Sequence, residues 1–305
     1  MTWWIRPLVR TIAALLLPLL IPAVITVILW ALPGDPVAIV CPPELCTGGD
    51  ELAAARRLDH GPWFFYKWWT WDAFHLEFGT SWRVAQGFPV GSLMAEAMPA
   101  TAALALLSMV PLVLGGVAAS VGWAPRRADP VLQGLGLVPA VILALVFAAV
   151  VEINYGALST EGWPAVLRLI LGAVVLGIAD NALSGAVVGT RSVFEAEMNQ
   201  RYIGIALLRG ESVLGNALPN VLPALVGQFR ARVLHLLSGA VIVEVVLKIS
   251  GLGNLLWDGT LLQDFGVVLA SAWAFAVLSS LLLLFQAFVE VMTAMYVRRA
   301  PAVPA

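Results

Sequence analysis

The sequence predicts an all-α, polytopic membrane protein with six transmembrane helices. Of its 305 residues, 60% are hydrophobic and only 12% are charged, and the mean hydropathy is strongly positive, well beyond the usage of a soluble domain. The apolar residues also come in runs long enough to cross a bilayer core of about 30 Å, which takes roughly 20 residues in helical form. Finally, bases and acids collect in alternate loops, the sidedness expected of a chain threaded repeatedly through a membrane.

The expected spans cover 11–32, 100–122, 131–151, 165–189, 224–247 and 267–296. The first is too long for the apolar core of a secretory signal. It runs into Leu32-Pro33-Gly34-Asp35-Pro36 without a small-residue cleavage site, so it is expected to stay as a helix. The fifth carries Arg230, Arg232 and His235, each costly at mid-membrane. The sixth is longer than a bilayer needs and is expected to tilt or to project beyond it.

Arg6 and Arg10 precede span one, Arg126 and Arg127 separate spans two and three, Arg191, Arg201 and Arg209 follow span four, and Arg298 and Arg299 close the chain. The alternate loops hold Glu161, Asp258 and Asp264. The positive-inside rule therefore places both termini in the cytoplasm.

Between spans one and two lies a long outer loop, 33–99. Its first half has turn chemistry, including Cys41-Pro42-Pro43-Glu44-Leu45-Cys46 and Thr47-Gly48-Gly49-Asp50. Cys41 and Cys46 are the only cysteines; on an oxidising outer face they form a local disulfide or remain as two thiols. Without a neighbouring His or acid cluster they make a poor metal site, and no metal is expected. The second half is dense in aromatics from Trp63 to Trp82, which suits a helix lying in the membrane interface; a platform for carbohydrate or peptide is the alternative.

No catalytic constellation is evident. His60, His75 and His235 are scattered, and the only lysines, Lys67 and Lys248, lie outside any Gly-Lys-Ser/Thr phosphate loop. Energy from ATP therefore has to come from a partner, and no cofactor is expected in this chain.

An ordered series of short motifs runs through the sequence: Leu32-Pro33-Gly34-Asp35-Pro36-Val37, Glu77-Phe78-Gly79-Thr80-Ser81, Pro99-Ala100-Thr101, Thr190-Arg191-Ser192, Ala206 followed by Gly210, Leu222-Pro223, Gly239 to Glu244, Gly251-Leu252-Gly253 and Asp264-Phe265. The series resembles the membrane permease of dipeptide, oligopeptide and nickel ATP-binding cassette importers, over about residues 6–299. The resemblance implies a type I ABC importer permease fold in the bacterial inner membrane, with a five-helix core over 100–296 and short cytoplasmic ends at 1–10 and 297–305. It implies a homologous second permease, two cytoplasmic ATPases that bind ATP and Mg, an external solute-binding protein and surrounding membrane lipid as partners, and no nucleic acid. Cargo in this group includes peptides, nickel complexes, glutathione and some sugars; peptide is the leading expectation.

By the same resemblance, 190–223 holds a coupling helix that docks on an ATPase, with Glu195, Arg201, Tyr202, Gly204, Ala206, Arg209, Gly210 and Pro223 as its residues. Gly204-Ile205-Ala206 stands where the family has Glu-Ala-Ala. Gly210 is expected to end the helix, and Pro219 and Pro223 to interrupt helical bonding before span five. Exposed pairs among Glu195, Glu197, Arg201, Arg209 and Glu211 are expected to orient the segment.

For the pathway, Asp180, Asn181, Arg230, Arg232, His235 and Glu244 are the unusual residues inside apolar spans. Either Asp180 pairs with an arginine of span five beside the route, or Arg230 and Arg232 snorkel to the inner interface. Gly251, Gly253, Asp258 and Asp264 are candidates for docking the binding protein, with a plain structural cap as the other reading. An ion-coupled secondary transporter is the alternative function; it calls for coupling carboxylates and an inverted repeat, and the sequence shows no convincing repeat.

Overall fold

The computed structural model describes residues 5–32, 36–40, 54, 56–156 and 161–299. Its helices are α1 (Ile5–Ala31), α2 (Pro36–Val40), α3 (Pro62–Phe74), α4 (Val90–Ser120), α5 (Asp129–Gly136), α6 (Ala140–Tyr155), α7 (Trp163–Ile178), α8 (Ala182–Met198), α9 (Arg201–Leu208), α10 (Val213–Leu247), α11 (Leu252–Leu261) and α12 (Phe265–Arg299). The β-pairing among the described residues is the single bridge Thr80↔Pro89. Three helices, Ile5–Ala31, Val90–Ser120 and Phe265–Tyr296, are long and apolar enough to cross a membrane, and the number rises to six if each bent helix pair counts as one span. Cys41 and Cys46 lie outside the described residues.

The chain divides into two compact units, the first of Met1–Ala14, Ala102–Ile249 and Leu281–Ala305, the second of Leu15–Thr101 and Ser250–Ser280. In the first unit α10 is the central helix, packed on α6, α7 and α8. Ser212 caps it, its hydroxyl accepting from the Gly215 N–H at 3.1 Å. Pro219 and Pro223 sit inside the helix rather than breaking it, which corrects the expected interruption. Each proline removes one i→i−4 bond, but the carbonyls left without donors belong to Gly215, which is exposed, and Pro219, which is half-buried, so water can serve them.

Spans three and four are each broken; a bend at Pro139 is what the sequence leads one to expect of span three, whereas span four reads as a continuous helix. α5 and α6 meet at 76°, and α7 and α8 at 43°. The first break ends on Pro139, which holds extended backbone at φ −62°, ψ 137° and biases the preceding residue away from helix. At the second break Asp180 and Asn181 adopt left-handed backbone, φ 51° and 60°, a conformation that short polar side chains tolerate best among residues other than glycine.

The second unit is built on an aromatic and aliphatic core of Leu29, Leu58, Phe65, Trp82, Phe265 and Leu269. A second cluster gathers Val90, Met94, Leu252, Val267 and Ala270. α3 forms in the aromatic half of the 33–99 segment, with Pro62 in its first turn. It turns Phe65, Thr70 and Ala73 inward and leaves Trp63, Trp71 and Phe74 exposed, the distribution of an element resting on an apolar surface.

Candidate translocation and coupling sites

The two broken spans of the first unit close each other's gaps. The Asn181 N–H donates to the Gly136 carbonyl at 2.9 Å, and the Asp180 N–H to the Val138 carbonyl at 3.3 Å. The Asp180 carboxylate accepts from the Ala140 N–H, also at 3.3 Å. Each break thus satisfies backbone groups that the other would leave bare, a requirement wherever irregular backbone lies at membrane depth. The approach is tight enough to exclude a side chain at Gly136, where an added Cβ would meet the Asn181 Cα at 2.8 Å.

Arg232 reaches the same junction from α10. Its Nη1 donates to the Asn181 carbonyl at 3.4 Å, and its guanidinium occupies the space a Cβ on Gly185 would need. Among the pathway candidates, Asp180, Asn181 and Arg232 are therefore brought together. An Asp180–arginine ion pair, one of the two readings of these residues, does not form among the described residues, because Asp180 faces the N-terminus of α6 instead.

Arg230 belongs elsewhere. Two positions along a helix turn the side chain by about 200°, and Arg230 lies near Arg10, which itself pairs with Glu290. His235 is half-buried and its carbonyl accepts from Ser238. Glu244 is fully buried, 0% exposed, within the last turn of α10.

Next to Arg232 a cavity of about 250 Å³ opens between α4, α8 and α10. Leu112, Phe194 and Phe229 supply apolar walls, while Thr190, Gln228 and Arg232 supply polar groups.

Arg168 was not singled out from the sequence, yet it is the largest of the fully buried side chains, 1% exposed. Its Nη1 donates to the Leu247 carbonyl at 2.8 Å, capping the C-terminus of α10 from α7. Nearby, Lys248 at the left-handed end of α10 pairs with Glu152 of α6 at 2.7 Å. Arg168 and this pair bind α6, α7 and α10 at one end. The one signal available in the sequence was a lone arginine in the otherwise apolar run 163–178.

The coupling segment is a helix bounded at both ends. α9 buries Ile203 and Ala206 and exposes Ile205, Leu207 and Leu208, the last 89% exposed. Gly210, at φ +71°, ends it as expected. Its N–H donates to the Leu207 carbonyl at 3.1 Å and the Glu211 N–H to the Ala206 carbonyl at 2.9 Å, the two bonds of a Schellman motif.

Tyr202 ties the helix to its neighbours: its hydroxyl donates to Glu197 and accepts from the Asn220 amide at 2.8 Å. Burial and the Glu197 bond raise the phenol above its ordinary pKa. Glu195 pairs with Arg126 at 2.5 Å, and Arg191 spans from Asp129 at 2.5 Å to the Ala124 carbonyl at 2.9 Å. These bonds link the end of α8 to the loop before α5. Gly204, Arg201 and Arg209 are exposed, and Pro223 is half-buried in α10.

In the second unit, Asp264 is 0% exposed, so its side chain is not available for docking a partner, contrary to one expectation. One carboxylate oxygen accepts from the Ser81 hydroxyl at 2.5 Å and from the N–H groups of Trp82, Arg83 and Val84 at 2.8, 2.8 and 3.0 Å. The other accepts from the Val267 N–H at 3.2 Å. Burial pushes this carboxyl up, but the bonds from Arg83, Ser81, Val84 and Trp82 outweigh it and hold the pKa below its ordinary value. Gly251 and Gly253 are buried as well, and Asp258 is half-buried, bonded to Asn254. Of the four docking candidates only Asp258 keeps side-chain surface.

Broken membrane helices, a polar junction between them and an exposed helix ending in a glycine turn define a membrane transport subunit. The chain belongs to the family of binding-protein-dependent transport system inner membrane components, which it matches over residues 111–299. It is 28% identical over 291 residues to the oligopeptide transport system permease protein AppB of Bacillus subtilis (strain 168), covering 88% of this chain and 91% of the relative. It is also 28% identical to the glutathione transport system permease protein GsiC of Escherichia coli (strain K12) over 258 residues, 80% of this chain and 83% of that one. The GsiC of Salmonella choleraesuis (strain SC-B67) matches at the same identity over 86% and 89%. The protein is thus a multi-pass inner-membrane permease subunit of an ABC importer with the type I permease fold, a transport component whose ATP hydrolysis is carried by partner subunits. The ion-coupled alternative is left without support.

Proposed function

We propose that the protein forms half of the pathway for peptides delivered by an external solute-binding protein. A homologous second permease supplies the other half. Two cytoplasmic ATPases, holding ATP and Mg, drive it through the 190–223 segment. The carrying observation is the junction itself: Asp180 and Asn181 are exposed and Arg232 is only half-buried, within segments that are otherwise apolar. Ionisable groups at such depth face a partner or a water-filled route rather than lipid, and helices broken at mid-span are the usual walls of such a route.

Peptide cargo rests on the relatives, whose names specify oligopeptide and glutathione; both are peptide-bond compounds. The distribution of arginines supports cytoplasmic termini and puts α9 on the ATPase side. There its exposed Ile205, Leu207 and Leu208 supply an apolar contact where the family's acid is missing.

The test is co-purification of the ATPases with a tagged permease from the intact transporter. Leu207→Glu with Leu208→Glu should abolish their retention while leaving the permease in the membrane. Undiminished retention would remove α9 from the ATPase contact.

A further inference from the structure

The two arginines of α10 share a lack and differ in their surroundings. Among the described residues neither has a carboxylate within 4.0 Å, and the Nε of Arg230 is buried without a hydrogen-bond partner. Arg230 lies on the side of Arg10, which pairs with Glu290, whereas Arg232 turns toward α8. Its Nε is buried without a hydrogen-bond partner, and its contact with the Asn181 carbonyl is long at 3.4 Å. Asp180, at the same junction, is turned to Ala140. Gly185 nevertheless leaves room for this guanidinium at a spot where any Cβ would collide with it.

A cation held against an apolar cavity and left without a counter-ion attracts an anion that arrives from outside. The cavity beside it, about 250 Å³, is smaller than the roughly 300–1,000 Å³ of sites that enclose a whole small molecule. It suits one end of a longer compound. Gln228 and Thr190 add hydrogen-bonding groups to the same wall, and Phe194 and Phe229 an apolar surface.

We infer that Arg232 is the counter-ion for a carboxylate of the cargo during passage, with the cavity between α4, α8 and α10 receiving the carboxylate end. This rests on the pathway reading above and adds a specificity to it: the permease itself favours cargo with a free carboxylate.

The experiment needs no knowledge of the cargo. In the complete transporter in membranes, with Cys41→Ser and Cys46→Ser as background, Thr190→Cys places a thiol in the cavity wall. Its reaction rates with a sulfonate-bearing and a trimethylammonium-bearing methanethiosulfonate are compared, each corrected for its rate with free cysteine and measured with and without ATP. The expected result is a several-fold preference for the anionic reagent, lost in Arg232→Gln and kept in Arg232→Lys. Should Arg232→Gln fail to assemble, Gly185→Ala displaces the guanidinium without removing it and should weaken the preference. A thiol that neither reagent reaches, or a preference indifferent to residue 232 and to Gly185→Ala, overturns the proposal. Retention of the ATPases in the same preparation keeps this outcome separate from a failure of the coupling reading.

Discussion

Asp264 and Asp180 are both acids at the start or the break of a long helix, yet they live in opposite hydrogen-bonding regimes. Asp264 is sealed from solvent and accepts from four backbone N–H groups and one hydroxyl. Asp180 is exposed and has a single acceptor contact at 3.3 Å. The first is bonded wholly within its own chain and so fastens the loop bearing Gly79-Thr80-Ser81 to the start of α12. The second, with Arg232 beside it, leaves bonding capacity open. Closure marks an acid that holds structure; an exposed acid with few contacts is left to water or a partner.

The comparison breaks if both acids respond alike to deletion. Asp264→Ala strands several buried N–H groups and should cost about 3–5 kcal/mol, seen as loss of folded permease on heating in detergent. Asp180→Ala should stay within about 1 kcal/mol of wild type in the same assay, and its effect should fall on uptake.

Acid should separate the two regimes more gently. Because the folded Asp264 carboxyl lies below its ordinary value of 3.8, its contribution is complete above that value and is lost as pH falls through the lower folded one. Thermal stability is therefore expected to be flat from neutral pH down to about 5 and to fall below about 4. Asp264→Asn should blunt that fall, measured as the midpoint of unfolding against pH.

On the open side, Gly185→Ala drives a Cβ into the Arg232 guanidinium. The far end of a flexible side chain can shift, so the fold should hold. Misplacing the cation by about 1–2 kcal/mol should lower uptake roughly five- to thirty-fold. Unaltered uptake with Gly185→Ala would mean that the position of Arg232 does not matter to transport.

How much of this was legible follows from the range of each interaction. Spans and sidedness are written in local composition, and the end of α9 in a single glycine, because a Schellman turn needs left-handed backbone within two residues of the helix end. The breaks were only half visible. Pro139 announces one, but Asp180-Asn181 reads as two polar residues in an apolar run, and its left-handed turn is stable only because Gly136 and Val138 offer their carbonyls. The role of Asp264 was half visible: a structural cap was one of its readings, and the Val267 N–H three residues on bears it out, but its other partners are some 180 residues away, so the sequence shows nothing of its burial. Arg230 and Arg232 look equivalent in sequence, and only the helix phase of α10 against α8 separates them.

The smallest expected effect sharpens the comparison at the coupling segment, which combines both regimes in one short helix. Its buried side is closed by the Tyr202 hydroxyl, shared between Glu197 of α8 and Asn220 of α10, while Ile205, Leu207 and Leu208 on its other side are exposed among the described residues. If the closed side transmits the displacement that the open side receives, Tyr202→Phe should leave ATPase binding intact. Losing two bonds at a partly exposed site costs about 1 kcal/mol, and that loss should appear as fewer cargo molecules moved per ATP rather than as slower ATP hydrolysis. Measuring both rates on the same reconstituted transporter decides it. An unchanged ratio would assign the tyrosine to holding α9 in place and leave transmission to the packing of Ile203 and Ala206 against α10.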